Sequence, residues 1–193
     1  MNNYQIPVGI SNRHIHLSRQ HLDQLFGEGY ELTEFKPLSQ PGQFAAEEMV
    51  TLVGPKGEIG KVRILGPTRS KTQIEISKTD SFVLGVKPPI RDSGDIEGSP
   101  GVTVIGPKGK VELEKGVIIA KRHVHFHPDD AERFGLKDGE HIRIKTTGER
   151  ALIFDQVMVR VNPKYALDCH LDVDEGNAAG LKTGDMVEIV KEA

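Results

Sequence analysis

The stretch SNRHIHLS at residues 11–18 returns in altered form as AKRHVHFH at residues 120–127. In both copies an apolar run precedes Arg-His-x-His and a short helix-like segment follows it, and 109 residues separate His14 from His123. A whole unit therefore recurs, which is the sequence signature of an internal duplication. The sequence predicts two related domains.

Short alternating runs rich in β-branched residues cover most of the chain, and 21 glycines and 11 prolines separate them. The runs are MVTLVG, KVRILG, TQIEIS, GVTVIG, GVIIA, HIRIKT, QVMVRV and MVEIV. Such runs, divided by tight turns, are typical of β-barrels. Helix signals are short and follow each histidine pair, beginning at Ser18 and at Pro128.

The repeat predicts domains that are discontinuous in sequence. GVIIA, directly before the second histidine pair, completes the first barrel, so by pseudo-symmetry QIPVGI near the N-terminus pairs into the second. We predict a first β-barrel domain over residues 13–120, with an insertion at 27–48, and a second over 1–12 and 121–193.

Composition narrows the function classes. The 193 residues are 37% hydrophobic, and 25 basic against 28 acidic residues give a net charge of -3, so nucleic acid is not an expected partner. No apolar run is long enough for a membrane span or resembles a leader, and we expect a cytoplasmic protein. The single cysteine, Cys169, can form neither an internal disulfide nor a Cys-rich zinc cage. A homo-oligomer is compatible with the sequence.

The two histidine pairs suit metal chelation. Residues two apart in an extended chain point to one face, so His14 and His16 project together, as do His123 and His125. One such pair arises easily by chance on a solvated strand, but two in equivalent places favour metal binding, with zinc as the natural ion. A zinc ion with three protein ligands keeps a position open for water or substrate.

Candidates for third ligands and for anion binding are weaker by pattern. Alternation in RSKTQIEIS turns Glu75 away from the apolar face, although an ordinary solvated carboxylate explains the same pattern better. His170 follows a strand-like run beside turn residues, where a structural histidine fits equally well. Arg69 lies six residues before Glu75, so it shares that face if the strand is regular, and a guanidinium there suits phosphate. A surface arginine is the plain alternative.

Five separated motifs resemble the phosphate propanoyltransferases of the PduL type. They are VGISNRHIHLS, KPLSQPGQFAAEE, VRILGPTRSKTQIEIS, AKRHVHFHP and CHLDVDEGNAAGLKTGD, and together they span nearly the whole chain in order. The resemblance implies a mainly β fold of two six-stranded β-barrels with short capping helices, and two zinc ions per chain at the domain interface.

Residue by residue, the resemblance also implies a set of roles. It assigns one zinc to His14, His16 and Glu75, and the other to His123, His125 and His170. It assigns phosphate to Arg69, and coenzyme A, a substrate, to Ser11, Lys36, Arg63, the backbone near Leu65, and Asn177.

The implied reaction joins acyl-CoA and phosphate to give acyl phosphate and free coenzyme A, with propanoyl-CoA, acetyl-CoA or both as donors. Direct transfer is expected, because no activated serine or cysteine is evident. Two alternatives stay open: a dizinc hydrolase acting on a phosphoester or amide, and a non-catalytic module in which zinc joins two barrels.

Family members in bacterial microcompartments look to have an N-terminal targeting segment, and only about ten residues precede the first motif here, so we do not expect encapsulation.

Overall fold

The computed structural model describes residues 5–190. Its strands in chain order are β1 (Gln5–Ser11), β2 (His14–His16), β3 (Glu34–Pro37), β4 (Phe44–Val53), β5 (Glu58–Gly66), β6 (Gln73–Glu75), β7 (Ile90–Arg91), β8 (Thr103–Ile105), β9 (Lys110–Glu112), β10 (Val117–Ala120), β11 (His123–Phe126), β12 (His141–Lys145), β13 (Ile153–Val161), β14 (Asp168–Asp172) and β15 (Met186–Val190). Its helices are α1 (Arg19–Phe26), α2 (Lys78–Leu84), α3 (Pro128–Phe134) and α4 (Val173–Ala179). The fold is mainly β, as predicted.

The described chain divides into two compact units. The first, called the barrel unit, comprises residues 5–11, 39–41 and 121–190. The second, called the sheet unit, comprises residues 12–38 and 42–120. That each unit corresponds to an independent domain with the predicted boundaries stays a prediction.

The barrel unit contains a closed six-stranded barrel with the order β1-β14-β11-β13-β12-β15. Its first strand, β1, pairs in parallel with β14 and antiparallel with β15, so QIPVGI joins the strands after residue 120 as expected. Alternate residues of the six strands turn inward and form one core, whose fully buried members include Ile6, Val124, Phe126 and Ile144. The period-2 alternation of the sequence thus corresponds to an inner and an outer barrel face.

The sheet unit contains nine strands, of which eight follow the order β7-β10-β6-β2-β5-β4-β8-β9 and the ninth, β3, pairs with β4. Among the described residues this sheet curls without joining its two ends, so it differs from the predicted six-stranded barrel. The two edge strands, β7 and β9, do not pair with each other, and the long strand β4 has two partners on the side opposite β5: its beginning pairs with β3 and its end with β8. Residues 34–37 and 44–48 of the expected insertion are therefore sheet strands.

Local signals in the sequence are confirmed. The Ser18 hydroxyl accepts from the backbone N–H of His21 at the start of α1, and Pro128 opens α3. Both GPKG segments close hairpins, with the N–H of Gly54 donating to the carbonyl of Gly57, and Gly106 to Gly109, at 2.9 Å each. No helix among residues 5–190 is long and apolar enough to cross a membrane.

Candidate functional site

The first histidine pair and Glu75 lie on one face of the sheet unit. Strand β2 runs between β5 and β6, and its residue Ile15 is paired with Ile64 and Ile74, all three fully buried in the core. The neighbouring positions therefore point to the opposite face. There His14 stands directly across from Glu75, with 3.5 Å between its Nε2 and the carboxylate Oε2.

Backbone carbonyls fix the orientation of both imidazoles in this group. The Nδ1 of His14 lies 2.8 Å from the carbonyl oxygen of Asn12, and the Nδ1 of His16 lies 3.2 Å from that of Leu65. A carbonyl oxygen only accepts, so each Nδ1 carries the hydrogen and each Nε2 keeps its lone pair. Metal-binding histidines are commonly held in this way.

Glu75 is held through one of its two oxygens. Its Oε1 accepts from the amide nitrogen of Gln73 at 2.7 Å and from the hydroxyl of Ser93 at 2.8 Å. The amide oxygen of Gln73 accepts in turn from the N–H of Gly94 at 2.7 Å, which fixes the direction of the amide. These contacts leave Oε2 on the side of His14. The sequence analysis did not find the role of Gln73 or that of Ser93.

The second histidine pair and His170 lie on one face of the barrel wall. Strand β11 runs between β13 and β14, and its Val124 is paired with Val159 and with Cys169, all fully buried in the barrel core. Cys169 is a free, buried cysteine, and burial raises the pKa of its thiol far above the ordinary value. The imidazoles at the neighbouring positions point away from the core.

Three imidazole rings come together in the barrel group. His123 stands across from His170 in the antiparallel pair, with ring centroids 5.0 Å apart, and the centroid of His125 lies 4.7 Å from the first and 4.8 Å from the second. The Nδ1 of His123 lies 2.7 Å from the carbonyl oxygen of Lys121, and Nε2 of His170 lies 3.0 Å from Oδ2 of Asp168. His125 packs edge-on against the ring of Tyr165 at 4.3 Å.

Both groups fit a zinc ion. Within each, one ligand atom per residue lies within 4.8 Å of the others. The Nε2 atoms of His123 and His125 are 3.1 Å apart, close to the spacing of about 3.3 Å that two nitrogens adopt on one tetrahedral zinc with bonds of 2.0–2.1 Å. The other ring nitrogen of His125, Nδ1, is buried and has no hydrogen-bond partner within the described residues.

The pKa values of two buried imidazoles, His16 and His125, are lowered, which favours the neutral form that binds metal. Burial is the main cause that lowers the pKa of His16 to about 3, with the neighbouring His14 and Arg69 adding to it. Burial likewise lowers the pKa of His125 to about 2, reinforced by His123 and His170. Neutral imidazoles suit a cation of intermediate softness such as zinc.

Arg69 reaches the sheet group by a route that differs from the predicted one. Strand β6 begins only at Gln73, so the regular strand on which the shared face of Arg69 and Glu75 depended is not formed. The N–H of Arg69 instead donates to the carbonyl of Leu17 at 2.9 Å, and its guanidinium lies 3.5 Å from the hydroxyl of Ser93, which itself donates to Glu75. The arginine is therefore next to the carboxylate through one intervening hydroxyl.

Three residues predicted to contact coenzyme A lie close to this group in the sheet unit. Arg63 pairs with His14 across β5 and β2, and Leu65 follows two residues later on the same face. Lys36 and Leu65 both pair with Ala45, from opposite sides of β4. The side chain of Arg63 is half-buried and lies on the strand next to His14, whereas that of Lys36 is exposed and lies two strands further along the sheet.

The other two predicted contacts lie in the barrel unit. Ser11 ends β1 and pairs with Asp172 at the end of β14, and its side chain is half-buried. Asn177 is an exposed residue of α4, the helix that begins directly after β14. Ser11 thus pairs with the last residue of the strand that carries His170, and Asn177 lies on the helix that follows that strand.

The sequence is similar to known acyltransferases over nearly its full length. A family model described as phosphate propanoyltransferase matches residues 7–182. Proteins named phosphate propanoyltransferase from Thermotoga maritima and Rhodopseudomonas palustris share 62% and 51% identity over 187 and 188 residues. These alignments cover 96% and 97% of this chain, and 89% and 83% of the two relatives. The resemblance seen in the five motifs is confirmed, and the chain belongs to the phosphate propanoyltransferase family, a family of acyltransferases.

Proposed function

We propose that this protein interconverts a short-chain acyl-CoA and phosphate with the acyl phosphate and free coenzyme A, using propanoyl-CoA, acetyl-CoA or both. The observation that carries the proposal is the pair of three-ligand groups, one in each unit, in a chain of this family. Three ligands leave room for a substrate oxygen on a tetrahedral ion, which distinguishes a catalytic zinc site from a closed structural one.

Each group would hold one zinc ion. In the sheet unit the ligands would be His14, His16 and Glu75, and in the barrel unit they would be His123, His125 and His170. When bound, zinc supplies a Lewis acid that stabilises negative charge on a substrate oxygen. That the two ions form one shared centre stays a prediction from the family resemblance.

Phosphate binding is assigned to Arg69. Its guanidinium is permanently charged and can offer two parallel N–H donors to phosphate oxygens. The hydroxyl of Ser93 lies 3.5 Å from the guanidinium and donates to Glu75, so it anchors the arginine next to the metal ligands. A phosphate held there would have one oxygen free to attack.

Coenzyme A binding is assigned to the cations on the neighbouring strands. Lys36 and Arg63 suit the phosphate groups of coenzyme A, and the guanidinium of Arg63 is already held over the ring of Phe35 at 4.7 Å and by the carbonyl of Ala46. Ser11, Asn177 and the backbone near Leu65 would complete these contacts. A fixed guanidinium loses less freedom on binding than a mobile one.

The transfer step is direct. A phosphate oxygen forms a bond to the acyl carbon, the carbon–sulfur bond breaks, and coenzyme A leaves as the thiolate, which takes a proton from solvent. Cys169, the only cysteine of the chain, faces the barrel core and is fully buried, so it does not serve as an acyl carrier. The protein residues bind and orient the two substrates, so the acyl group passes directly to phosphate without a covalent acyl-enzyme.

A thiol-release assay on protein of measured zinc content tests the proposal. Acetyl-CoA, propanoyl-CoA and butanoyl-CoA are each supplied with and without phosphate, and acyl phosphate is trapped as the hydroxamate. We expect thiol release that requires both zinc and phosphate and equals the hydroxamate formed. Phosphate-independent thiol release, or phosphatase activity without coenzyme A binding, would instead support the dizinc hydrolase. The cytoplasmic location stays a prediction.

A further inference from the structure

The two candidate metal groups are built on the same backbone frame. In the sheet unit, β2 pairs antiparallel with β6, which places His14 opposite Glu75 and His16 opposite Gln73. The last ligand of this group therefore stands across from the first histidine. The residue two positions before that ligand stands across from the second histidine.

The barrel unit repeats this register. There β11 pairs antiparallel with β14, which places His123 opposite His170 and His125 opposite Asp168. His170 thus occupies the position that Glu75 has in the sheet unit. Asp168 occupies the position that Gln73 has, and neither equivalence is visible from the sequence repeat around the histidine pairs.

The helix starts that follow the two ligand-bearing strands, β6 and β14, match as well. Arg13, directly before the first histidine, binds both oxygens of Asp80 through its Nε at 2.9 Å. Arg122, directly before the equivalent histidine, binds Oε1 of Glu175 through its Nε at 2.7 Å. Both acids are the third residue of the helix after the ligand-bearing strand, and both complete its capping box. The duplication therefore extends over strand, ligand, helix start and ion pair.

The paired positions carry opposite hydrogen-bonding chemistry. In the sheet unit the ligand is a carboxylate, which accepts, and its neighbour Gln73 donates an amide N–H to Glu75 at 2.7 Å. In the barrel unit the ligand is an imidazole, whose ring N–H donates, and its neighbour Asp168 is a carboxylate 3.0 Å from Nε2 of His170. Each ligand thus stands next to the partner that its own chemistry requires.

We propose that Asp168 is a positioning residue for His170: it holds the hydrogen on Nε2, so that Nδ1 presents its lone pair to the metal. A carboxylate on the far nitrogen of a metal-binding histidine fixes both tautomer and ring orientation. Asp168 is itself fixed, because it is only 4% exposed and its Oδ2 also accepts from the hydroxyl of Ser39. Gln40 anchors that segment by exchanging two hydrogen bonds with Ala166, at 3.0 and 3.2 Å.

This inference rests on the proposed metal sites, and it differs from two other roles for Asp168. A direct metal ligand would abolish binding when removed, whereas a positioning residue lowers the affinity and keeps the stoichiometry. A purely structural residue would change stability without changing metal affinity or the spectrum of the bound ion. These three roles are separable by experiment.

The test compares Asp168→Ala, Asp168→Asn and Ser39→Ala with the full-length parent chain. Affinities for Zn²⁺ are measured by competition with a chromogenic chelator, and the Co²⁺-substituted proteins give absorption spectra. Zinc titration of His123→Ala lacks the binding step of the barrel group. Comparison with the parent titration therefore shows which step belongs to that group. Thr146→Val serves as the matched control, since it deletes the buried hydroxyl that bonds Leu152 elsewhere in the same barrel.

We expect Asp168→Ala to weaken the barrel site roughly 10–100-fold at unchanged saturating stoichiometry and to shift its Co²⁺ spectrum. Asp168→Asn keeps an acceptor oxygen and should recover part of the affinity, and Ser39→Ala should cause a smaller loss. Thr146→Val should lower the melting temperature alone. If Asp168→Ala does not fold, the other two substitutions decide the question.

The inference is overturned if Asp168→Asn and Ser39→Ala keep the zinc affinity and the Co²⁺ spectrum of the parent, and Asp168→Ala either keeps them too or does not fold. It is also overturned by complete loss of the barrel metal at saturating zinc in the folded alanine variant, which would make Asp168 a ligand. A parent chain that binds no zinc would instead refute the proposed function.

Discussion

Gly9 is the position where a single methyl group should disturb the barrel site most selectively. It lies in β1 opposite His170 in the parallel pair with β14. An added Cβ would stand 2.9 Å from Oδ2 of Asp168 and 3.3 Å from Cδ2 of His170. The backbone of Gly9 is not in the left-handed region, so alanine is allowed there and the expected effect comes from crowding alone.

The size of the effect of Gly9→Ala depends on how far the Asp168 carboxylate can move. Carbon and oxygen atoms in contact normally lie about 3.2 Å or more apart, so Asp168 must retreat by a few tenths of an ångström. Its short side chain is buried and held by His170 and Ser39, so the retreat moves the imidazole with it. Crowding of this kind costs about 1–3 kcal/mol of stability. The metal affinity of the barrel group should fall roughly 10–100-fold, which corresponds to about 1.4–2.7 kcal/mol.

Chelator competition measures the zinc affinity of Gly9→Ala, and urea unfolding of the zinc-free protein measures its stability. Gly60→Ala is the matched control, because Gly60 is also a strand glycine and the nearest atom to its added Cβ, Oγ1 of Thr51, lies at an ordinary 3.7 Å. The control should keep the parent affinity. A folded Gly9→Ala protein that binds zinc within twofold of the parent would refute the reasoning, because the carboxylate would then move independently of His170.

Other substitutions separate the roles of the remaining site residues. His123→Ala should remove one zinc per chain and nearly all turnover while the circular dichroism spectrum of the fold is kept; two zinc ions per chain would exclude His123 as a ligand. Arg69→Ala should weaken the use of phosphate by about 1.5–3 kcal/mol, seen as a raised KM for phosphate, since a charge-assisted hydrogen bond is lost; an unchanged phosphate dependence would remove Arg69 from the site. Glu75→His should lose the sheet-unit metal, because the amide of Gln73 donates where an imidazole needs an acceptor, and adding Gln73→Asp should recover at least about tenfold in affinity. No recovery in that double variant would contradict the equivalence of the two frames. Cys169 should react with a thiol reagent only after unfolding, and fast labelling of the native protein would contradict its placement in the core.

Local patterns in the sequence were sufficient to predict most of the long strands and the shared face of each histidine pair. Period-2 alternation depends only on which residues are apolar, so it predicted Ile15 and Val124 in the core with a histidine on either side of each. The same alternation does not predict which strands pair with each other or whether a sheet closes into a barrel. The sheet stays open because its edge strands β7 and β9 do not pair with each other, and pairing between distant segments is a tertiary property.

The third ligands were harder to predict because they depend on pairing between distant segments. Glu75 joins the sheet group only through the register of β6 against β2, and a shift by one residue would turn it into the core. His170 lies inside β14 rather than after it, and the strand signal of residues 168–172 is weak. The family resemblance supplied both residues, and pattern alone would have left them as ordinary polar side chains. Ser93, which donates to Glu75 from a loop 18 residues away, carried no signal at all.

The donor and acceptor pairing also explains why the two groups differ in their third ligand. In each unit, the ligand and the residue two positions before it lie on one face of the same strand. A hydrogen bond between their side chains couples the residue types at these two positions. Glutamate at the ligand position requires a donor two residues earlier, as in Gln73, whereas histidine there requires an acceptor, as in Asp168. A change at one position alone leaves a buried group facing the wrong partner, at a cost of about 1–3 kcal/mol. The two positions must therefore change together, which makes each pair a single unit of the site rather than one ligand with an incidental neighbour.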